Sequence, residues 1–312
     1  MTGTIAQKAT ELKTMVAAKK IPEVDIGPQC YDPYACDFTN YCWSHIPDDS
    51  VFELRGRTNG VQYELYKSGI VKLLDIPSET HLPAAAAFQL AHYLSGEEYL
   101  DRVALREFLN SFSYPIWFLD FETYSTAIPE LNNTKPYQQI PFQYSLHVLK
   151  ENSSAPDHFE FLADPSIDPR EPFMQHLMSH LGESGSIVAY NSPFENSRLK
   201  ETAIAFPKYT QIVEATSSRF VDLMKPFRSR KYYHPNFYGS YSIKDVLPVM
   251  VPELSYENLE VNEGGMASLT FLKMREEKDD VVNEQHRKNL LEYCKMDTFA
   301  MVRIFEKLNL MR

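Results

Sequence analysis

No stretch of this chain approaches the ~18 uninterrupted apolar residues that a membrane-spanning helix needs, so no transmembrane segment is expected. The first twenty residues carry Lys8, Glu11 and Lys13 and lack an apolar run, which excludes a secretory signal there. A glycine-rich phosphate loop is missing, which argues against a nucleotide triphosphatase. Repeats and low-complexity tracts are absent as well. Basic charge is in deficit: 31 Lys+Arg against 42 Asp+Glu give a net charge of −11. Such a chain repels nucleic acid on average, so a nucleic-acid role needs a local basic patch or metal ions that offset carboxylates. Cysteine is scarce, with four in the chain, yet Cys30, Cys36 and Cys42 fall close together. Without an export signal, metal binding is a better reading than disulfides, and the expected compartment is the cytoplasm. Apolar residues are plentiful at 44%, with 13% aromatic, so the 312 residues can bury a full core.

The length fits one large domain or a domain with an appendage. Residues 1–112 read as a mainly helical region around the cysteine segment, from helical stretches at 9–20, 63–77 and 84–96 and a helix opened by Asp101. Residues 113–312 read as α/β. Ile116 to Leu119 form a short apolar run typical of a buried strand. Residues 141–149 and 158–163 alternate as strands, and 169–183 have helical spacing between Pro169 and Gly182. A short strand at 186–191 precedes a helix at 194–206. Leu290, Leu291, Cys294, Met301, Ile304, Phe305 and Leu308 follow the 3.6-residue period of a final amphipathic helix at 289–308. The order β-β-β-α-β-α with a closing helix is mixed α/β rather than a simple alternation.

Three short patterns carry chemistry. Asp120 and Glu122 sit at i and i+2 of the first strand and share a face, with Phe121 on the other. Two carboxylates there repel and are costly to bury, and a divalent cation between them removes that cost. The simpler reading is a strand that ends in solvated acids. Asn191-Ser192-Pro193-Phe194-Glu195 places a carboxylate in the first turn of a helix, which the helix dipole alone would favour. Tyr293 and Asp297 lie at i and i+4 on one helical face. A boundary tyrosine beside a surface acid would give the same spacing.

Taken in order, the three patterns resemble the DEDD superfamily of 3′→5′ exonucleases, in the subclass with tyrosine in its third motif. The resemblance covers about 200 residues. It implies a ribonuclease-H-like mixed sheet flanked by helices, preceded here by the mainly helical N-terminal region. The second motif departs from the pattern, because Glu195 stands where that superfamily has Asp; Asp222 in RFVDLM is a nearby alternative. The chain is also similar to a bacterial domain-of-unknown-function family through WFLDFETYSTAIPELNNTKPYQQIPFQYSLHV, YNSPFENSRLKE, RFVDLMKPF, GSYSIKDVLP and CYDPYACDFTNYCW.

The resemblance implies a metal-dependent 3′→5′ exonuclease cutting phosphodiesters of DNA or RNA. Asp120, Glu122, Glu195 and Asp297 would bind two Mg²⁺ or Mn²⁺ ions, and Tyr293 would orient the attacking water. Its partner would be a single-stranded or 3′-ended nucleic acid, with no membrane. Lys225, Arg228, Arg230 and Lys231, set among aromatics, are candidates for phosphate contacts, although a solvated basic loop explains them equally. Phe121 is a candidate wedge for the terminal nucleotide, or core; Asn191 and Asp222 complete the candidate substrate set. Ser240 or Ser242 is expected to cap a helix.

Cys30, Cys36 and Cys42 form a Cys-x5-Cys-x5-Cys pattern, and thiolates select zinc or iron–sulfur clusters. His45 would complete a zinc site, and reduced structural cysteines that hold no metal are the alternative reading. The resemblance points to a [4Fe–4S] cluster whose fourth thiol comes from upstream sequence in longer relatives. The alternative reading of the whole chain is therefore a catalytically weak nucleic-acid-binding or scaffold module of a larger iron–sulfur nuclease, working with an upstream nuclease region or partner protein. His176 and His180 read as plain helix surface, and residues 275–280 as a solvated loop.

Overall fold

The computed structural model describes residues 2–56, 60–153 and 155–312. The chain divides into two compact units, one running through Leu94 and the other from Ser95 to Arg312. The division lies upstream of the boundary at 112 read from the sequence. Its cause is local pairing. Strand β1 (Tyr99–Leu100) pairs antiparallel with a later strand through Tyr99–Tyr233 and Leu100–Tyr232. The following helix belongs to the same unit, since the Phe112 ring behind it meets Phe305 at 5.0 Å.

The first unit is helical: α1 (Thr2–Ala17), α2 (Thr39–Cys42), α3 (Val61–Lys67) and α4 (Ala84–Ser95). Its small core gathers Val51, Leu54, Leu65, Leu73, Ile76 and Ala86. Buried Gln89 ties this core to the backbone, accepting from the Arg55 amide and donating to the Glu53 carbonyl.

The second unit opens with α5 (Arg102–Leu109), whose N-cap Asp101 accepts from the Ala104 amide as its sequence position predicts. A five-stranded mixed sheet follows: β2 (Ile116–Tyr124), β3 (Ile140–Leu149), β4 (Asp157–Leu162), β5 (Ile187–Ala189) and β6 (Phe220–Asp222). Its order is β4-β3-β2-β5-β6. Strand β3 pairs antiparallel with both β2 and β4, while β5 adds parallel to β2 and β6 parallel to β5. Strand β2 is thus central and flanked on both sides, which explains its nearly continuous apolar run. The helices are α6 (Arg170–His180), α7 (Pro193–Ala205), α8 (Thr210–Ser217), α9 (Lys225–Arg228), α10 (Ile243–Met250), α11 (Gly264–Lys273) and α12 (Asp280–Met311), with the short strand β7 (Tyr232–Tyr233) after α9. The mixed α/β architecture expected from the sequence is therefore present. Strand β6 and helix α8 are additions that the sequence pattern did not separate from their neighbours.

Strand alternation gives the two sheet faces different partners. Trp117, Leu119 and Phe121 from β2, with Tyr144, Leu146 and Val148 from β3, pack on Phe173, Leu177, Leu199 and Val213 of α6 to α8. The opposite face meets α11 and α12. There Phe142 stacks on Phe271 at 4.0 Å, and Phe118 meets Phe305 at 5.6 Å. Each such ring, fully buried, contributes about 1.5–3 kcal/mol. Helix α12 is longer at both ends than its periodic core predicts; at its start Asp279 caps it by accepting from the Val281 amide at 2.9 Å. The segment read as a solvated loop is partly packed: Arg275 lies 4.7 Å over the Tyr124 ring and pairs with Glu130. His176 is also less exposed than read, its ring bonding the buried Tyr144 hydroxyl at 2.7 Å. Among the described residues no helix is long and apolar enough to cross a membrane.

Candidate active site

Period-2 geometry places Asp120 and Glu122 on the α12 face of the central strand. A register shift between Glu122 and Thr123, opposite Gln143 and Pro141, interrupts the ladder beside them. Such irregularities re-aim side chains and recur next to active sites. Helix α12 then brings Tyr293 and Asp297 down on the same face, one helical turn apart. Glu195 enters from the first turn of α7, immediately beyond β5. All five residues line one cavity of about 510 Å³, which also includes Tyr190, Ser242, Lys244, Gly264 and Gly265. Three segments distant along the chain therefore meet at one pocket.

The acids are removed from water. Glu122 is 6% exposed, Glu195 3% and Asp297 8%. Burial lifts Asp120 well above the carboxylate range, with Asp297, Glu122 and Glu195 adding repulsion. Glu122 is raised by burial and by Asp297, against the pull of Lys244. Burial pushes Glu195 up to about 8. Asp297 is pushed up to about 6 by burial, opposed by hydrogen bonds from Tyr256 and Tyr293 and by the charge of Lys244. The Tyr256 hydroxyl donates to Asp297 Oδ1 at 2.7 Å. One oxygen of Glu195, Oε2, is buried without a hydrogen-bond partner. The Tyr293 phenol is raised far above its ordinary value by burial and then by Asp297, so it is neutral at any working pH.

This chemistry fits divalent cations. Oxygen donors that repel one another, with an orphaned buried carboxylate oxygen among them, are what a hard cation relieves. Among the described residues, the one group of three whose ligand atoms all lie within 4.8 Å is Asp120, Glu122 and Cys294. Asp297 and Glu195 stand wider around the same pocket. The Cys294 thiol is buried and lies 3.9 Å from Asp120 Oδ2. Burial first, and then the neighbouring acids, raise its pKa.

The other sequence candidates fall elsewhere. Phe121 borders the pocket, but its ring is buried against Phe173 at 5.0 Å on the opposite sheet face, as alternation requires. Asn191 takes a left-handed conformation (φ 76°) at the β5–α7 turn. Asp222 organises that turn: it accepts from the amides of Asn191 at 3.1 Å and Met224 at 3.0 Å, and pairs with Arg228 at 3.0 Å. Its oxygens are thus engaged, and it is Glu195, not Asp222, that lines the pocket. Lys225, Arg228, Arg230 and Lys231 do not line the cavity. Arg228 is drawn to Asp222, and the Lys231 backbone bonds Pro226 and Asp101.

In the first unit, Cys30 and Cys42 are half-buried and Cys36 is exposed, all as free thiols. Together with His45 they form no ligand group within 4.8 Å among the described residues. His45 Nε2 is engaged by the Tyr66 hydroxyl at 3.0 Å, and the Cys36 amide donates to the Cys30 carbonyl at 2.8 Å.

Three residues escaped the sequence reading. Tyr256 comes from an irregular loop with no periodicity to mark it. Lys244 sits inside GSYSIKDVLP, where the recognised signal is the N-cap Ser242, whose side chain accepts from the Lys244 amide. Thr298 follows Asp297 and bridges Ser145 Oγ at 2.7 Å and His147 Nδ1 at 2.8 Å, pinning α12 to β3 beneath the site. Burial, then His158 and Lys295, lower His147 to about 3, so this bridge is uncharged.

Residues 117–242 match the model of a family described as a domain of unknown function, DUF2779. That stretch holds Asp120, Glu122 and Glu195 and ends before Tyr293 and Asp297. The chain is similar to an uncharacterized protein of Mycoplasma pneumoniae, 29% identical over 205 residues, covering 60% of this chain and 31% of the relative. An uncharacterized protein of Ureaplasma parvum is 28% identical over 209 residues, covering 60% of this chain and 30% of the relative. One of Mycoplasma genitalium is 27% identical over 210 residues, with 60% and 31% covered. The chain thus spans about a third of the length of these curated relatives. No solved structure matches it.

Proposed function

We propose that the pocket is the active site of a metal-dependent 3′→5′ exonuclease that hydrolyses phosphodiester bonds of DNA or RNA. The observation that carries the reading is the convergence of Asp120, Glu122, Glu195 and Asp297, all raised in pKa, on one cavity beside Tyr293. The strand order, with β2 at the centre, supports the ribonuclease-H-like part of the reading. Asp120, Glu122, Glu195 and Asp297 would hold Mg²⁺ or Mn²⁺, which would supply Lewis acidity toward the phosphodiester and offset their charge. Tyr293, a neutral phenol, orients the attacking water by hydrogen bonding and surrenders no proton. Tyr256 fixes the rotamer of Asp297 by donating to Oδ1. The buried floor under Asp120, closed by Cys294, keeps bulk water away from one side of the reacting phosphate.

The test is degradation of 3′- and 5′-labelled single-stranded DNA and RNA, with and without Mn²⁺. Loss of nucleotides from the 3′ end, abolished by chelation and by Asp120→Ala, is expected. Activity that survives either treatment refutes the reading.

The wider placement of Glu195 and Asp297 favours a second reading, a nucleic-acid-binding or scaffold module with little turnover. It predicts strand binding without cleavage. A zinc ion or [4Fe–4S] cluster at Cys30, Cys36 and Cys42 belongs with this reading, and visible absorbance or elemental analysis of anaerobically purified protein tests it.

A further inference from the structure

We propose that Lys244 is the substrate-phosphate residue of this pocket, a role that rests on the exonuclease reading and adds a cation that the three acid-bearing patterns do not contain. Lys244 is the one basic side chain among the described residues that line the cavity. Its ammonium lies 6.0 Å from the ring centroids of both Tyr256 and Tyr293, the two phenols that flank Asp297. One of its three donors goes to the Asn262 carbonyl at 2.7 Å, a neutral acceptor that holds the side chain in place without cancelling its charge. The residue is exposed and opens α10, so it stands at the mouth of the cavity with the carboxylates at its floor. Gly264 and Gly265 also line the cavity, and a Cβ built on Gly265 would meet nothing within 4 Å.

Charge balance identifies what the ammonium is for. Four ionised carboxylates and Lys244 leave a charge of minus three. Two divalent cations bring the pocket to plus one, and one phosphodiester charge brings it to zero. A lysine needed only as counter-ion to the acids becomes surplus once cations are bound, whereas one that receives phosphate completes the balance. The sequence-nominated cations, Lys225 to Lys231, do not line this cavity and leave the role to Lys244.

The experiment measures binding of a short single strand and of a nucleoside 5′-monophosphate in Ca²⁺, so that nothing is cleaved, across a series of salt concentrations. Steady-state kinetics in Mn²⁺ accompany it. Lys244→Met is expected to weaken both ligands about tenfold, ~1.4 kcal/mol. It should also reduce the salt slope for the strand by ~0.7, the loss of one phosphate contact. KM should rise with kcat little changed, as for uniform binding. Lys244→Arg should keep the slope, and Lys244→Gln should repeat the loss if the methionine variant is unstable. Unchanged affinity and slope in Lys244→Met or Lys244→Gln, with only the thermal midpoint or Mn²⁺ affinity altered, would make the lysine a counter-ion and overturn the proposal. A wild-type protein that neither binds strand in Ca²⁺ nor degrades it in Mn²⁺ removes the exonuclease reading and the proposal together.

Discussion

Stripped of metal, this fold should lose stability as pH rises through neutrality, opposite to the behaviour of a protein held by salt-bridged acids. Glu195 has its folded pKa raised from 4.5 to about 8, chiefly by burial. An acid raised in this way is neutral in both states below its unfolded value, and its penalty grows as pH climbs toward the folded value. Between pH 5 and 7 the unfolded chain releases this proton while the folded chain keeps it. At about 1.4 kcal/mol per pH unit, Glu195 alone costs ~2–3 kcal/mol across that window. Asp297, raised from 3.8 to about 6, acts with the same sign at lower pH. For a unit of this size, roughly 2–4 °C per kcal/mol converts the Glu195 contribution into a fall of about 5–10 °C. The assay is calorimetry of EDTA-treated protein at pH 5, 6 and 7, repeated with millimolar Mn²⁺. Metal bound to the folded state should restore most of the loss at pH 7. A midpoint that is flat or rises with pH in EDTA would refute the carboxylate cage as drawn.

The same repulsion predicts that Asp297→Asn raises the metal-free midpoint at pH 7 while abolishing Mn²⁺-dependent strand degradation, a stability gain at the expense of function; calorimetry beside the labelled-strand assay checks it. Tyr256→Phe removes the 2.7 Å donor to Asp297. A hydrogen bond to a charged group is worth about 1.5–3 kcal/mol, so kcat should fall roughly ten- to hundredfold with the fold retained by circular dichroism. Gly185→Ala tests the seating of β2. Gly185 has φ +85°, and an added Cβ would lie 1.9 Å from the Pro115 carbonyl oxygen, backbone that cannot yield without moving the start of the strand. A midpoint lowered by several degrees is expected, and an unchanged one would refute the contact.

Which parts of the site were legible in the sequence follows from how each residue reaches it. Asp120 and Glu122 were readable because a strand has period 2, and Tyr293 and Asp297 because a helix repeats every 3.6 residues. Glu195 was readable because it opens a helix directly after a strand. In each case local geometry fixes the direction of the side chain, so spacing alone carries the information. Strand β6 was not legible. Its three residues are too few for a period, and they exist as a strand only through pairing with Ile187 to Ala189. Phe121 shows the converse: the sequence left it open between a wedge for substrate and core, and the alternation that turns Asp120 to the pocket packs the Phe121 ring against Phe173.

Tyr256 and Lys244 mark where sequence reasoning stops. Both meet the site through the irregular chain after α10, Tyr256 lying within it and Lys244 tethered to it at Asn262, and no periodicity sets the path of that chain. The basic loop at 225–231 drew attention because charge density is visible in a sequence, but density says nothing about where the charge is presented. Arg228 is consumed by Asp222, which the sequence offered as an alternative to Glu195 and as part of the substrate set. A single lysine with no basic neighbour instead faces the acids. For an acidic chain this arrangement is physically reasonable. On the proposed exonuclease reading, substrate need not be held by a broad positive surface, because bound metal ions would supply most of the compensating charge and one ammonium at the mouth would close the balance.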